Sequence, residues 1–249
     1  MIVLLSESKK MNFDRDVEIN RTEPRFAAQV DELVETLREF SAPQLGKAMG
    51  ISEELAALNH DRFAEFYDAE PRPAISAFAG DAYQSLDVES FTPQELERSQ
   101  GVLRILSGLY GLLRPADEIV PHRLEMHTKL ETSKAKDLYG FWGTQIAELA
   151  ELDLAESVGD KVFLNLASNE YSKAVKSPVS PVVSPRFEDI GKNGKRRVMP
   201  PYAKRARGAM TAWIIKQNIT RVEDLKDFDA YGYEYDPENS TDEVPVFWR

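Results

Sequence analysis

The chain has 249 residues, no cysteine and a formal net charge of −11. That length is near the upper end for one domain, and the lack of cysteine excludes disulfides, thiolate-ligated zinc, iron–sulfur clusters and thiol redox sensing by the chain itself. No stretch approaches the roughly 20 apolar residues that span a bilayer; the apolar start, Met1 to Leu5, is short and lacks a basic flank, so a cytoplasmic protein with no membrane partner is expected.

Residues 1–6 read as a buried first strand, with Ser8-Lys9-Lys10 in the loop at its carboxyl end. Phe26, Val30, Leu33, Val34 and Leu37 stand at helical spacing between Pro24 and Phe40. Ser41-Ala42-Pro43 is a helix start, a capping serine with proline in the first turn. That short helix, Gln44 to Met49, stops at Gly50, and Ser52-Glu53-Glu54 opens a longer one to about Tyr67, with acids at its positive end. Arg72 to Phe78 predicts a second strand ending in Gly80-Asp81, and Thr92-Pro93-Gln94-Glu95 starts another helix. Leu103 to Leu113 is apolar but interrupted by Gly108 and Gly111, which fits a broken helix or a helix-to-loop passage. Ser133 to Leu149 reads as helix. Lys161 to Ala167 reads as a strand followed by the polar run Ser168-Asn169-Glu170-Tyr171. Val179 to Phe187 suits an edge strand because of Pro181 and Pro185, and Asn193-Gly194 signals a hairpin turn. Tyr202 to Gln217 is amphipathic, with Ala203, Ala206, Met210 and Ile214 inward. Tyr231 to Tyr235 and Val244 to Trp248 read as closing strands, with a loose tail segment over 237–243. Strands and helices mix without strict alternation. The expected fold class is therefore α+β (mixed α/β): a single domain over 1–249 with a mixed β-sheet surrounded by helices.

An acidic total argues against a polyanionic partner, but the charge is unevenly placed. Gly191 to Val222 holds Lys192, Lys195, Arg196, Arg197, Lys204, Arg205, Arg207, Lys216 and Arg221 and no acid, whereas Glu223 to Glu243 is rich in carboxylates. On a helix, Lys204 and Arg207 are neighbours while Arg205 points elsewhere. The stretch fits a phosphate-binding face, and equally a solvated face that pairs with the acidic segment after it. Leu45 to Leu55 has the grammar of a helix-hairpin-helix, an element over about 41–67. There Gly50, Ile51 and Ser52 offer backbone N–H groups to a phosphate, with Lys47 the nearby base. The same grammar also describes an ordinary helix C-cap followed by an N-cap, and Glu53 and Glu54 oppose an anion.

Polar clusters follow three strands: Ser6-Glu7-Ser8-Lys9, Gly80-Asp81-Ala82-Tyr83 and Ser168 to Lys173. Sites collect at strand carboxyl ends when helices cross over the sheet, and Glu170 with Lys9 or Lys173 is suited to acid–base work. A basic cleft for an anionic small molecule draws on Lys9, Arg72, Arg104, Arg114, Lys173, Lys204 and Arg207, with Asp81, Tyr83 and Asn169 beside it. Arg114, Arg123 and Lys129 read as partners for anions or carboxylates. The alternative for these clusters is helix caps and loop hydrogen bonds. His122, Glu125 and His127 lack the spacing of a standard helical metal site, so neither a metal nor a cofactor is expected.

Taken together, several segments resemble the YaaA family of peroxide-stress proteins. They include Leu5-Ser6-Glu7-Ser8-Lys9, Leu58-Asn59-His60-Asp61-Arg62-Phe63, Arg72-Pro73-Ala74-Ile75, Leu103 to Pro115, Arg123-Leu124-Glu125-Met126, Asn165 to Tyr171 and Tyr202 to Gly208, in an order that runs almost end to end. Ser6-Glu7-Ser8-Lys9 stands where the family usually has Ser-Pro-Ala-Lys; the lysine is kept and the turn before it becomes acidic. The resemblance implies a role in the response to hydrogen peroxide, tied to iron homeostasis and protection of DNA from iron-driven oxidation. It also implies a DNA-binding fold with a helix-hairpin-helix and a positively charged cleft. The resulting expectation is a DNA-binding stress protein without catalytic turnover. It acts on duplex or distorted DNA with low sequence preference and is monomeric by default. The alternative is an enzyme acting on a nucleotide-like or other anionic small molecule.

Overall fold

Ile2-Val3-Leu4-Leu5 is apolar on both faces, the pattern of a strand covered on both sides. In the computed structural model, which describes residues 1–191 and 194–249, it forms β1 (Ile2–Ser6) at the centre of the main sheet. The chain continues through α1 (Ala27–Arg38), α2 (Ala42–Met49) and α3 (Glu53–Ala64). A capping box of Ser41 and Gln44 starts α2, and Gly50 ends it at φ +64°, a left-handed conformation open to glycine at no steric cost. Next come β2 (Arg72–Pro73), α4 (Ala74–Ala77), α5 (Asp81–Leu86) and α6 (Pro93–Val102). Then follow β3 (Leu103–Ser107), β4 (Gly111–Leu113), β5 (Glu118–Ile119), α7 (Leu138–Trp142) and α8 (Gln145–Glu156). The last third contains β6 (Phe163–Asn165), α9 (Asn169–Ser172), β7 (Val182–Val183), β8 (Arg186–Ile190) and β9 (Arg196–Arg197). It closes with α10 (Pro200–Gln217), β10 (Glu234–Tyr235) and β11 (Val246–Trp248).

The main sheet has the order β4-β3-β1-β6-β7. β1 runs parallel to β3 on one side and to β6 on the other, with Val3 opposite both Leu103 and Leu164. The carboxyl ends of these three strands therefore lie at one edge. A second sheet, β10-β11-β8-β9, mixes a parallel β11–β8 pair with antiparallel neighbours. The fold is mixed α/β, and its buried apolar residues form one continuous cluster from Met1 to Phe247.

Three segments differ from the sequence-based expectation. Leu103 to Leu113 is a strand pair, not a broken helix: β3 turns at Gly111, φ +69°, into antiparallel β4. A short apolar run cannot be told from a buried helix by periodicity alone. The strand expected over 72–78 ends at Pro73 and becomes α4. The helix expected over 133–149 is two helices divided at Gly143, φ +52°. Of the Asn193-Gly194 turn, Asn193 lies outside the described residues, and so does Lys192. The flanking strands β8 and β9 do pair antiparallel. The segment over 237–243 is organised by Asp236, whose carboxylate accepts from the backbone N–H of Glu238 and Asn239.

α10 lies directly on α5. A Cβ added to Gly208 would sit 1.8 Å from the Ala82 carbonyl oxygen, so neither backbone can yield without unpacking the helix pair. Gly208→Ala is expected to lower stability by about 3 kcal/mol, a drop in Tm on the order of 10 °C. Gly101 is the control, because an added Cβ there meets nothing within 4 Å. Gly101→Ala in α6 should leave Tm unchanged or raise it, as read by circular dichroism melts.

Candidate functional site

Glu7 follows β1 directly, and its side chain is only 6% exposed. Ser107 Oγ donates to Glu7 Oε2 at 2.5 Å, while Gly108 N–H and Tyr171 OH donate to Oε1 at 3.0 and 2.8 Å. The carboxylate thus joins the end of β1 to the end of β3 and to α9. Buried His122 presents Nε2 to Glu7 Oε2 at 3.6 Å, and its Nδ1 meets the Val120 carbonyl at 2.8 Å. Burial, with the Glu7 charge as a lesser cause, pushes the Tyr171 phenol far above its ordinary range, so it acts as a donor only. The 122–127 segment is held close: a Cβ on Gly108 would lie 2.0 Å from the Leu124 carbonyl oxygen.

The rim carries a chain of alternating charge. Glu125, 5% exposed at its side chain, is paired by Lys9 and by Arg123 Nη2 at 3.0 Å, all on Oε1. His127 Nε2 lies 4.0 Å from Glu125 Oε2. On its other side His127 Nδ1 meets Glu170 Oε1 at 2.7 Å, and its backbone N–H donates to the same oxygen at 3.2 Å. The three donors of a His122–Glu125–His127 metal reading are therefore engaged separately. Among the described residues, no group of three His, Asp or Glu is placed to hold a metal ion.

Several residues singled out in the sequence converge here. Lys9, Arg123 and Glu170 are in the network, and Asn169 is exposed at the start of α9. Tyr83 OH donates to the Ser6 carbonyl at 3.0 Å. Gly80, just before Asp81, packs against Ser8, whose Oγ would lie 2.3 Å from an added Cβ. Lys129 and Lys173 are exposed nearby in sequence. Arg72, Arg104 and Arg114 lie elsewhere. Arg72 pairs with Glu70 at 2.8 Å on the small β2–β5 sheet. Arg104 and Arg114 line a cavity of about 740 Å³ together with Met1 and Val102, at the amino ends of β1 and β3. There Arg104 Nε donates to Asp153 at 2.5 Å, Arg25 holds the same carboxylate through two bonds, and Arg114 is paired with Asp117. Glu7 and Asp153 were missed as partners. An acid immediately after a buried parallel strand was the available signal for Glu7, whereas Asp153 has no local signature.

The basic stretch divides into engaged and open cations. Arg196 pairs with Asp236 at 2.6 Å and stacks over Trp248 at 4.4 Å, and Arg221 pairs with Glu223. Arg197, Lys204 and Arg205 are exposed, and among the described residues none of them forms an ion pair. Arg207 is half-buried, its Nε has no hydrogen-bond partner, and burial lowers its pKa. The acidic segment therefore takes two arginines of the stretch, Arg196 and Arg221, and leaves the start of α10 open. In the 41–67 element, the Gly46 carbonyl accepts from the N–H of both Gly50 and Ile51. The donors left for a ligand are those of the first turn of α3, beside exposed Glu53 and Glu54.

The profile of the peroxide stress protein YaaA family matches residues 1–239. The chain belongs to that family. It is 45% identical to a UPF0246 protein of Idiomarina loihiensis over all of this chain and 98% of the relative. It is 44% identical to one from Acaryochloris marina over the full length of both. A third, from Shewanella sp. strain MR-4, is 42% identical over all of this chain and 99% of the relative.

Two substitutions test the ionic framework. Glu7→Ala leaves three buried donors without an acceptor and should cost about 3 kcal/mol in denaturant unfolding. Burial alone would raise the Asp153 pKa, but the hydrogen bonds from Arg25 and Arg104 outweigh it, and the folded carboxyl titrates below its ordinary value. Its stabilisation is therefore present above about pH 4 and is lost as the pH falls through the folded value. The stability gap between wild type and Asp153→Asn should accordingly narrow at acid pH in melts run from pH 7 down to 3.

Proposed function

We propose that this member of the peroxide-stress family acts by binding DNA through backbone phosphates. The cationic face of β9 and the first turns of α10 forms the contact, helping to limit iron-driven damage at the DNA itself. The observation that carries this reading is the set of exposed cations Arg197, Lys204 and Arg205, which have no acidic partner among the described residues, in a protein whose other arginines are largely paired. Unpaired surface cations attract a polyanion at long range and release its condensed counterions on contact. Arg207 adds a donor that is already desolvated. Lys195 directly precedes β9, its carbonyl accepting from the Gly191 N–H at 2.9 Å. The two-helix element contributes Lys47 and the first-turn amides of α3 around Ser52, as a helix-hairpin-helix does when it holds a phosphate. Contacts of this kind position the protein on the backbone and carry little sequence preference.

Fluorescence anisotropy with a labelled duplex across a salt series checks the reading. Affinity should fall linearly on a log–log plot, with a slope of about −0.9 per phosphate neutralised. The Arg197→Gln/Lys204→Gln/Arg205→Gln triple variant should flatten that slope by about 3 units. Lys226→Gln, outside the face, should leave it unchanged. Salt-independent binding, or an unaltered slope in the triple variant, refutes the proposal.

A further inference from the structure

The strand-end network has two properties that a purely structural set of ion pairs does not need. The first is the setting of His127. Glu170 accepts from Nδ1 at 2.7 Å and from the backbone N–H at 3.2 Å, which orients the ring and leaves Nε2 as the basic nitrogen, as a carboxylate does in an acid–base dyad. Nε2 is 4.0 Å from Glu125 Oε2, beyond hydrogen-bond reach, on a side chain that is 54% exposed. The second is a surplus of donors. Lys9 and Arg123 converge on a single oxygen of Glu125. Arg123 Nε is buried without any partner, and the Lys9 side chain is 61% exposed, with further ammonium N–H groups to give. A buried orphan N–H is a standing penalty that an entering acceptor removes.

The second feature opens on a pocket lined by Glu7, Ser8, Lys9, Arg123, Glu125 and Tyr171 among others, and His127 adjoins it through Glu125, 4.0 Å from its Nε2. The pocket's volume of about 10 Å³ admits about one oxygen-sized group, so most of any ligand stays outside it, beside exposed Lys9. The Leu124 side of the pocket is held by a backbone-close contact with Gly108, and preorganisation of this kind favours binding.

We propose that this pocket binds a small molecule bearing an oxyanion, a phosphate ester or a carboxylate. Lys9 and Arg123 take the anion, and His127 Nε2, set by Glu170, faces a neighbouring hydroxyl as proton acceptor. The assignment is independent of the DNA reading, because it uses none of Arg197, Lys204 or Arg205.

Isothermal titration calorimetry of the full chain with inorganic phosphate, AMP and citrate tests it. Phosphate and AMP stand for the phosphate source of the oxyanion, and citrate for the carboxylate source. At least one probe should bind, and Lys9→Met and Arg123→Gln should each weaken it by about tenfold or more, the loss of one charge-assisted hydrogen bond. Both variants should retain the wild-type salt slope for duplex DNA. Imidazole ¹⁵N spectra supply the second readout. The bound probe should move the His127 Nε2 resonance, and Glu170→Gln should alter the tautomer balance of the free protein. The proposal is overturned if no probe binds at 10 mM-order concentration. Binding abolished by the Arg197/Lys204/Arg205 variant but untouched by Lys9→Met and Arg123→Gln also overturns it. A His127 Nε2 signal unmoved by a bound probe overturns the dyad.

Discussion

A buried carboxylate with a full set of donors holds the functional edge of the sheet together. Glu7 reaches Ser107, Gly108 and Tyr171 at once, so the ends of two parallel strands and the helix after a third share one acceptor. Each bond alone is worth a modest net amount, but removing the common acceptor leaves every donor buried and dry. The loops beyond inherit their positions from this anchor. The 122–127 segment rests on Gly108, and α5 begins against Ser8. Through Gly208 on Ala82, α10 is packed onto the same framework.

The protein treats its cations in two ways. At the amino ends of the strands, Arg25 and Arg104 close on Asp153, and Arg114 closes on Asp117. These are buried or half-buried pairs in which each cation closes on a carboxylate of the chain, so they build structure. At the start of α10, Lys204 and Arg205 are exposed and form no ion pair among the described residues, and at the strand-end pocket Arg123 Nε is buried without a hydrogen-bond partner. The distinction lies in partnership, not in residue type, and it is invisible in a count of charges.

Much of the fold was legible. β1, the caps of α2, α3 and α6, and the inward face of α10 follow from patterns whose physics is local: apolar spacing, a serine or threonine cap, proline in a first turn. The elements that were misread, β3–β4 and α4, are short apolar runs where helix and strand make the same local sense and the sheet decides. The strand-end cluster was half legible for the same reason. Lys9 and Glu170 could be suspected from where their strands end. The meeting of His127 with Glu170 bridges 43 positions, and that of Glu7 with Tyr171 bridges 164. The parallel pairing of β1 with both β3 and β6 brings these residues together. The hairpin at Gly50 shows the converse: its glycine was read correctly as a left-handed cap, yet the amides it exposes in principle are already bonded to Gly46.

The segregation of charge along the chain has a mechanical meaning. The body carries −11 overall, yet Lys204 and Arg205 stand exposed near the start of one helix. On the proposed DNA reading, the net charge would repel a polyanion at a distance while these cations attract it at close range. Only approaches that present the start of α10 would then reach contact, and the acidic remainder of the surface would act as a filter on angle.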